Sequence, residues 1–133
     1  MTMDLKDKNT SKNKRFLESL FHALMGVKTV IQEERNMAFH VSFSVLAIIV
    51  SFVLKISAIE WLFILVSIFL VLITEIINTS FENLVDLVTN HQYHEIAKKV
   101  KDMAASSVLL AALLALLIGA IIFIPKIWQL IVA

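Results

Sequence analysis

The segment Ile56–Asp86, ISAIEWLFILVSIFLVLITEIINTSFENLVD, decides the fold of this chain. Its first part, Ile56–Ile77, is almost wholly apolar and close to the length of about 20 residues that a helix needs to cross a bilayer. Four polar residues, at spacings of three, four and four, mark the end of this run: Glu75, Asn78, Glu82 and Asp86. At about 100° per residue they fall within about 80° of one another on one helix face. Because a carboxylate at a membrane boundary is costly to desolvate, this acidic face indicates a functional site.

Two further apolar runs, Met37–Leu54 and Met103–Ile124, flank this segment and have similar lengths. The chain is 59% hydrophobic and has only two glycines and one proline, which excludes an ordinary soluble domain. The connection 55–60 is short enough to make the first two spans antiparallel neighbours. We therefore predict an all-α membrane protein with spans at about 37–54, 58–77 continuing as a helix to about 88, and 103–124.

Positive charge is distributed unequally between the two sides of these spans. Ten of the 12 Lys and Arg residues precede the first span or lie between the second and third, which leaves only Lys55 and Lys126 on the other side. By the positive-inside rule, the N-terminus and the 78–101 segment face the cytoplasm and the C-terminus lies outside. The sequence thus predicts a multi-pass protein of the cell membrane whose acidic face is cytoplasmic.

The N-terminal part of the chain differs in character from the spans. Residues 1–14 are polar and charged, which is typical of a disordered leader. Residues 16–35 place apolar side chains at helical spacing, which predicts an amphipathic helix in the membrane surface. Residues 15–133 then form one membrane domain. Cysteine is absent from the chain, which excludes disulfides and thiolate chemistry.

The predicted cytoplasmic side collects groups suited to phosphoryl transfer. Glu34 and Glu82, on different helices, offer the hard oxygen ligands that Mg²⁺ prefers, and Mg²⁺ usually completes its shell with water and substrate phosphates. Lys101 and Arg15 supply positive charge for phosphate oxygens. The chain has no Walker A sequence and few glycines, so a nucleotide site here must consist of side chains and metal.

Glu75 is the candidate general base. A lipid alcohol carries its hydroxyl group at the membrane interface, where a partly desolvated Glu75 could accept the proton. These residues therefore predict transfer of phosphate to an alcohol within the membrane.

The pattern Glu75-x-x-Asn78-x-x-x-Glu82-x-x-x-Asp86, followed by Tyr93-His94 and Lys101-Asp102, resembles the prokaryotic integral-membrane diacylglycerol kinase and undecaprenol kinase family. The resemblance covers about residues 15–125. It is specific, because four polar positions at fixed spacing in a membrane helix are rare by chance. It implies a homotrimer with active sites between subunits, in which MgATP phosphorylates a membrane lipid alcohol.

The resemblance also implies roles for individual residues. Glu75 and Asn78 are expected to be catalytic and to contact the lipid, and Glu34 and Glu82 to bind the metal. The nucleotide-binding group is expected to comprise Arg15, Glu34, Glu82, Asp86, Tyr93, His94, Lys101 and Asp102. The expected partners are ATP, a lipid alcohol and further copies of the chain, with no nucleic acid.

The choice of lipid rests on smaller features. Glu34-Arg35-Asn36, His40 and the Ala104-Ala105 pair resemble the Gram-positive branch of the family, whose preferred lipid is undecaprenol. The most favoured activity is therefore undecaprenol kinase, and diacylglycerol kinase producing phosphatidic acid is the alternative. Two positions depart from many relatives: Ala38 replaces a basic residue and His22 a tyrosine. A non-enzymatic oligomeric pore or scaffold is an alternative of another class.

Overall fold

The computed structural model describes the backbone of residues 5–132 and the side chains of residues 14–132. It consists of four helices: α1 (Leu5–Glu33), α2 (Arg35–Val53), α3 (Ala58–Thr89) and α4 (Glu95–Val132). The described chain divides into two units between Glu33 and Glu34, the first formed by α1 and the second by α2, α3 and α4. The prediction of an all-helical protein is confirmed.

Helices α2, α3 and α4 are each long and apolar enough to cross a membrane, as the sequence predicted. At about 1.5 Å per residue, the 32 residues of α3 extend about 48 Å, whereas a hydrocarbon core is about 30 Å thick. If the span covers residues 58–77, the last three turns of α3 lie beyond it. The acidic face then begins inside the span at Glu75 and ends outside it at Asp86.

Two helices extend further than the apolar runs indicated. Helix α1 begins at Leu5, so the segment predicted to be a disordered leader is helical where it is described, while residues 1–4 lie outside the described residues. Residues 5–14 include neither glycine nor proline, so no strong helix breaker separates them from the apolar part of α1. Helix α4 begins at Glu95 rather than near 103, because its charged first turns still favour helix although they are not apolar.

The first unit, α1, carries many exposed apolar side chains, including Phe16, Leu17, Leu20, Phe21 and Leu24. Such a helix is suited to contact a lipid surface or another helix. Its placement in the membrane surface stays a prediction.

Ion pairs near both ends fix the antiparallel register of α3 and α4 in the second unit. Lys101 Nζ lies 2.6 Å from Asp86 Oδ1, and near the opposite end Lys126 Nζ lies 3.2 Å from Glu60 Oε2. Glu60 also completes a capping box with Ser57, which begins α3. This register holds the acidic face of α3 beside the start of α4.

An apolar cluster closes the Glu60 end of the second unit. Ile56, Ile64 and Ile122 form its buried part. The turn between α2 and α3 is stabilised there by the edge-to-face contact of Phe52 with Trp61, whose ring centroids lie 4.8 Å apart. This apolar cluster therefore lies at the end of the unit opposite to the acidic face of α3.

Candidate active site

The acidic face of α3 is buried where it enters the apolar part of the helix. Glu75 is 2% exposed and Asn78 is 6% exposed, whereas Glu82 and Asp86 are half-buried. Burial of these polar residues at helical spacing follows directly from their positions on one face. A solvated surface helix would leave them exposed, so burial supports the functional interpretation of this face.

Carboxylates from two helices meet at this point. Glu34, the residue that precedes α2, and Glu82, two turns after Glu75, both lie close enough to the Glu75 carboxyl group to interact with it electrostatically. Glu34 occupies the N-cap position of α2, but its side chain makes no capping hydrogen bond. Its carboxylate is therefore available to another ligand.

The three carboxylates lack a basic partner in the described part of the chain. The ion pairs found among residues 14–132 join Asp86 to Lys101 and His91, Glu95 to Lys99, and Glu60 to Lys126. Like charges that lie together without a counter-charge repel each other, so a cation that brings further ligands of its own would be stabilised beside Glu34, Glu75 and Glu82. We refer to these three residues as the acidic cluster.

Asn78 is tied to the acidic cluster by a hydrogen bond. Its Nδ2 donates to Glu82 Oε1 at 2.9 Å. An ionised carboxylate only accepts hydrogen bonds, so the amide nitrogen must face Glu82 and the amide oxygen points elsewhere. Asn78 therefore orients one of the expected metal ligands while keeping an acceptor free.

Lys101 and Asp86 form a second polar group one turn beyond the acidic cluster. The Lys101 ammonium group donates to Asp86 Oδ1 at 2.6 Å, and His91 Nδ1 lies 3.9 Å from Oδ2. Asp86 lies more than two turns beyond residue 77. Its pKa is lowered, first by the hydrogen bond from Lys101 and then by the charges of Lys101 and His91. The pair holds Lys101 beside Asp86, one helical turn beyond Glu82, and the lysine ammonium group is a suitable donor to phosphate oxygens.

This pair should contribute little to stability at neutral pH and less in acid. Lys101→Met is expected to lower the free energy of unfolding only slightly, because the two side chains are 35% and 31% exposed and water screens their attraction. A carboxyl group whose pKa is lowered on folding stabilises the protein above its unfolded pKa. That contribution is lost as the pH falls through the folded pKa.

Thermal unfolding of Lys101→Met and the parent chain in mixed micelles should therefore differ at pH 7 and converge in acid. Lys99→Met is the matched control, since its pair with Glu95 is more exposed. A difference that persisted after protonation of Asp86 would contradict this account.

The remaining residues predicted to bind the nucleotide are Tyr93, His94, Asp102 and Arg15. Tyr93 is 81% exposed, His94 Nδ1 accepts a hydrogen bond from the Ile96 backbone N–H at 3.2 Å, and Asp102 is exposed. Arg15 lies on α1 in the first unit. The roles of these residues in nucleotide binding stay predictions.

Two residues near this site were not among those predicted to form it. His91 reaches Asp86 because Asn90 and His91 both adopt positive φ, of 50° and 60°, at the end of α3. Thr79 follows Asn78 on α3 and is only 3% exposed. The helical spacing of four from Glu75 is the signal that could have identified Thr79.

The carboxylates of the acidic cluster could supply some, but not all, of the ligands of a magnesium ion. Within residues 14–132, no group of three His, Asp or Glu side chains is arranged to hold a metal alone. Mg²⁺ nevertheless usually binds to only one or two carboxylates of a protein, and water and phosphate oxygens complete its coordination shell. Glu34 and Glu82 have the donor chemistry for this role.

An apolar cleft of about 660 Å³ lies between α2, α3 and α4. Its lining includes Ser44 and Ala47 of α2, Val71 of α3, and Ala115 and Gly119 of α4. Val71 precedes Glu75 by one helical turn, so one end of the cleft lies next to the acidic cluster.

Comparison with known proteins identifies the family. The family model for prokaryotic diacylglycerol kinase matches residues 21–123. Undecaprenol kinase of Bacillus subtilis (strain 168) is 38% identical over 124 residues, covering 93% of this chain and 99% of that protein. Diacylglycerol kinase of Synechocystis sp. is 36% identical over 116 residues, covering 87% and 66%, and diacylglycerol kinase of Helicobacter pylori (strain J99) is 34% identical over 97 residues, covering 73% and 75%. The chain therefore belongs to the prokaryotic diacylglycerol kinase family and is a lipid kinase.

Proposed function

We propose that this chain transfers the γ-phosphoryl group of MgATP to undecaprenol, producing undecaprenyl phosphate at the cytoplasmic face of the cell membrane. The observation that carries the proposal is the acidic cluster: a buried carboxylate, Glu75, with two further carboxylates beside it and no basic partner among the described residues. The first carboxylate suits proton abstraction and the other two suit a metal-bound triphosphate. Its membership of the kinase family sets aside the alternative of a pore or scaffold.

Each group has a distinct task in this mechanism. Glu75 accepts the proton of the lipid hydroxyl, and Asn78 orients Glu82 through its amide nitrogen. Glu34 and Glu82 would hold the magnesium ion, which when bound would neutralise charge on the phosphates. Lys101, held by Asp86, adds positive charge for phosphate oxygens.

The lipid chain would lie in the apolar cleft beside Val71. That position leaves the hydroxyl end of the lipid near Glu75, one turn further along α3. Burial of the chain in the cleft supplies binding free energy, while the polar residues at its end fix the orientation.

The active form is proposed to be a homotrimer with sites between subunits. Tyr93 and Asp102 are exposed in a single chain. In the trimer, these side chains would contact a nucleotide that is bound at the acidic cluster of a neighbouring subunit. The spanning helices also leave large apolar side chains exposed, including Phe43, Phe52 and Phe69, which lipid or another subunit must cover.

The lipid preference is tested by competition. Purified protein in mixed micelles receives undecaprenol and diacylglycerol at equal mole fraction with MgATP, and both phosphorylated lipids are quantified. We expect kcat/KM to favour undecaprenol by at least about tenfold, which corresponds to about 1.4 kcal/mol. The full-length match to an undecaprenol kinase supports this direction.

The same assay distinguishes the alternative. Two of the relatives compared above carry the name diacylglycerol kinase, so that activity is the second candidate. If the protein preferred diacylglycerol, diacylglycerol would replace undecaprenol as the proposed substrate. If it phosphorylated neither lipid, both proposed substrates would be refuted.

A further inference from the structure

Thr79 differs from the other serine and threonine residues whose side chains the structure describes. Eleven of these residues donate their hydroxyl proton to a backbone carbonyl three or four positions earlier; they are Ser19, Thr29, Ser42, Ser44, Ser51, Ser67, Thr74, Ser80, Thr89, Ser106 and Ser107. Ser57 caps α3 instead. Thr79 Oγ1 is buried and has no hydrogen-bond partner among the residues that the structure describes.

An unpaired buried hydroxyl group is unfavourable. It has lost its hydrogen bonds to water without gaining one within the protein. The backbone carbonyl one turn earlier could have accepted from Thr79, as such carbonyls do for Thr74 and Ser80. Thr79 makes no such bond, so its buried hydroxyl group is left to a partner outside its own helix backbone.

The neighbouring residue presents the complementary unpaired group. Asn78 Oδ1 is the other buried polar side-chain atom without a partner in the described part of the chain. Its amide nitrogen is already committed to Glu82, so the oxygen can only accept. A donor and an acceptor, both more than nine-tenths buried, therefore lie one turn from Glu75.

An alcohol group satisfies both atoms at once. Its oxygen can accept a hydrogen bond from Thr79, and its proton can be donated to Asn78 Oδ1 or to the Glu75 carboxylate. Residues four apart on a helix have Cβ atoms about 5–6 Å apart, a separation that a hydroxyl group between Glu75 and Thr79 can bridge.

We infer that Thr79 is a further substrate-contacting residue, whose hydroxyl group donates a hydrogen bond to the acceptor oxygen of the lipid alcohol beside Glu75. This inference rests on the proposed function, because it takes the lipid alcohol as the ligand. It adds a specific determinant for the hydroxyl end of the lipid to the apolar cleft that binds the chain.

The test compares Thr79→Val with Thr79→Ser. Valine keeps the shape of threonine and removes the hydroxyl group, so kcat/KM for the lipid should fall about tenfold, the loss expected for one hydrogen bond. The KM for MgATP should stay within about twofold, and serine should restore lipid kcat/KM to within about threefold of the parent value. Thr74→Val is the matched control, because the Thr74 hydroxyl already bonds its own helix backbone.

Stability measurements distinguish a substrate contact from a structural role. Removing an unpaired buried hydroxyl group should leave the melting temperature of Thr79→Val unchanged or raise it, with the oligomeric state intact. A fall in melting temperature or loss of oligomers would overturn the inference, since Thr79 would then have a structural partner.

Two further outcomes separate this inference from the proposed function. Full lipid activity in Thr79→Val, beside an inactive Glu75→Gln, would refute the role of Thr79 and leave the proposed function intact. Failure of the parent protein to phosphorylate either lipid would refute the proposed function itself.

Discussion

Glu75→Gln is expected to lower kcat for lipid phosphorylation by about 10³-fold, within the range of about 10²–10⁴ typical of a general base. Glutamine has nearly the same size as glutamate and can still accept a hydrogen bond, but it cannot take up the alcohol proton. The KM values for lipid and MgATP should change much less than kcat. A radiolabelled phosphate-transfer assay with extracted lipid measures all three quantities.

Folding should survive this substitution. Glu75 is almost fully buried beside two other carboxylates, so a neutral amide removes both repulsion and the cost of burying charge. The melting temperature of Glu75→Gln should therefore equal or exceed that of the parent protein. Glu18→Gln provides the control, because Glu18 is an exposed glutamate outside the acidic cluster.

The alternative role for Glu75 predicts a different result. If Glu75 only filled space on the buried face of α3, its isosteric amide would keep nearly full activity. Normal turnover in Glu75→Gln, with normal oligomer formation, would remove Glu75 from the role of base and would require another proton acceptor.

The spans could be predicted from the sequence because the hydropathy of a helix indicates which part of it is surrounded by lipid. Ile56–Ile77 and its flanking runs correspond to α2, α3 and α4 for this reason. Hydropathy does not report where helical hydrogen bonding ends. The charged residues 95–102 and the polar residues 5–14 therefore fell outside the predicted helices, although their composition permits helix.

The buried polar face of α3 could be predicted only where residue type and spacing coincide. Glu75, Asn78 and Glu82 are rare residue types for a membrane helix, so their spacing predicted a common face, and the roles of the three residues stay predictions. Thr79 lies on nearly the same face but is an ordinary residue there, since most membrane threonines bond their own backbone. Only the burial of its hydroxyl group without a hydrogen-bond partner distinguishes it, and that information is three-dimensional.

Simultaneous replacement of Glu34 and Glu82 by glutamine should abolish magnesium-dependent binding of ATP. The acidic cluster brings these carboxylates from two helices near one buried glutamate, and no Lys or Arg among the described residues neutralises them. Neutral amides are weaker ligands for a hard cation than carboxylates. We expect the dissociation constant of ATP in the presence of Mg²⁺ to rise at least about a hundredfold, a loss of about 2.7 kcal/mol.

Calorimetric titration with ATP, once with Mg²⁺ and once with EDTA, tests this expectation. The parent protein should bind far more tightly with Mg²⁺, whereas the double variant should show equally weak binding in both conditions. Glu33→Gln combined with Glu95→Gln makes the same change in net charge at two exposed carboxylates outside the acidic cluster, and it should retain the magnesium effect. The comparison therefore separates loss of metal ligands from a general loss of negative charge.

The single variants report how the two helices share the metal. If both carboxylates bind one ion, either Glu34→Gln or Glu82→Gln alone should remove most of the magnesium effect, and the double variant should add little, because residues that act on one ligand are not additive. Two additive losses would indicate separate sites. Unchanged magnesium-dependent affinity in the double variant would exclude both carboxylates as ligands, and the acidic cluster would then need another explanation than the nucleotide.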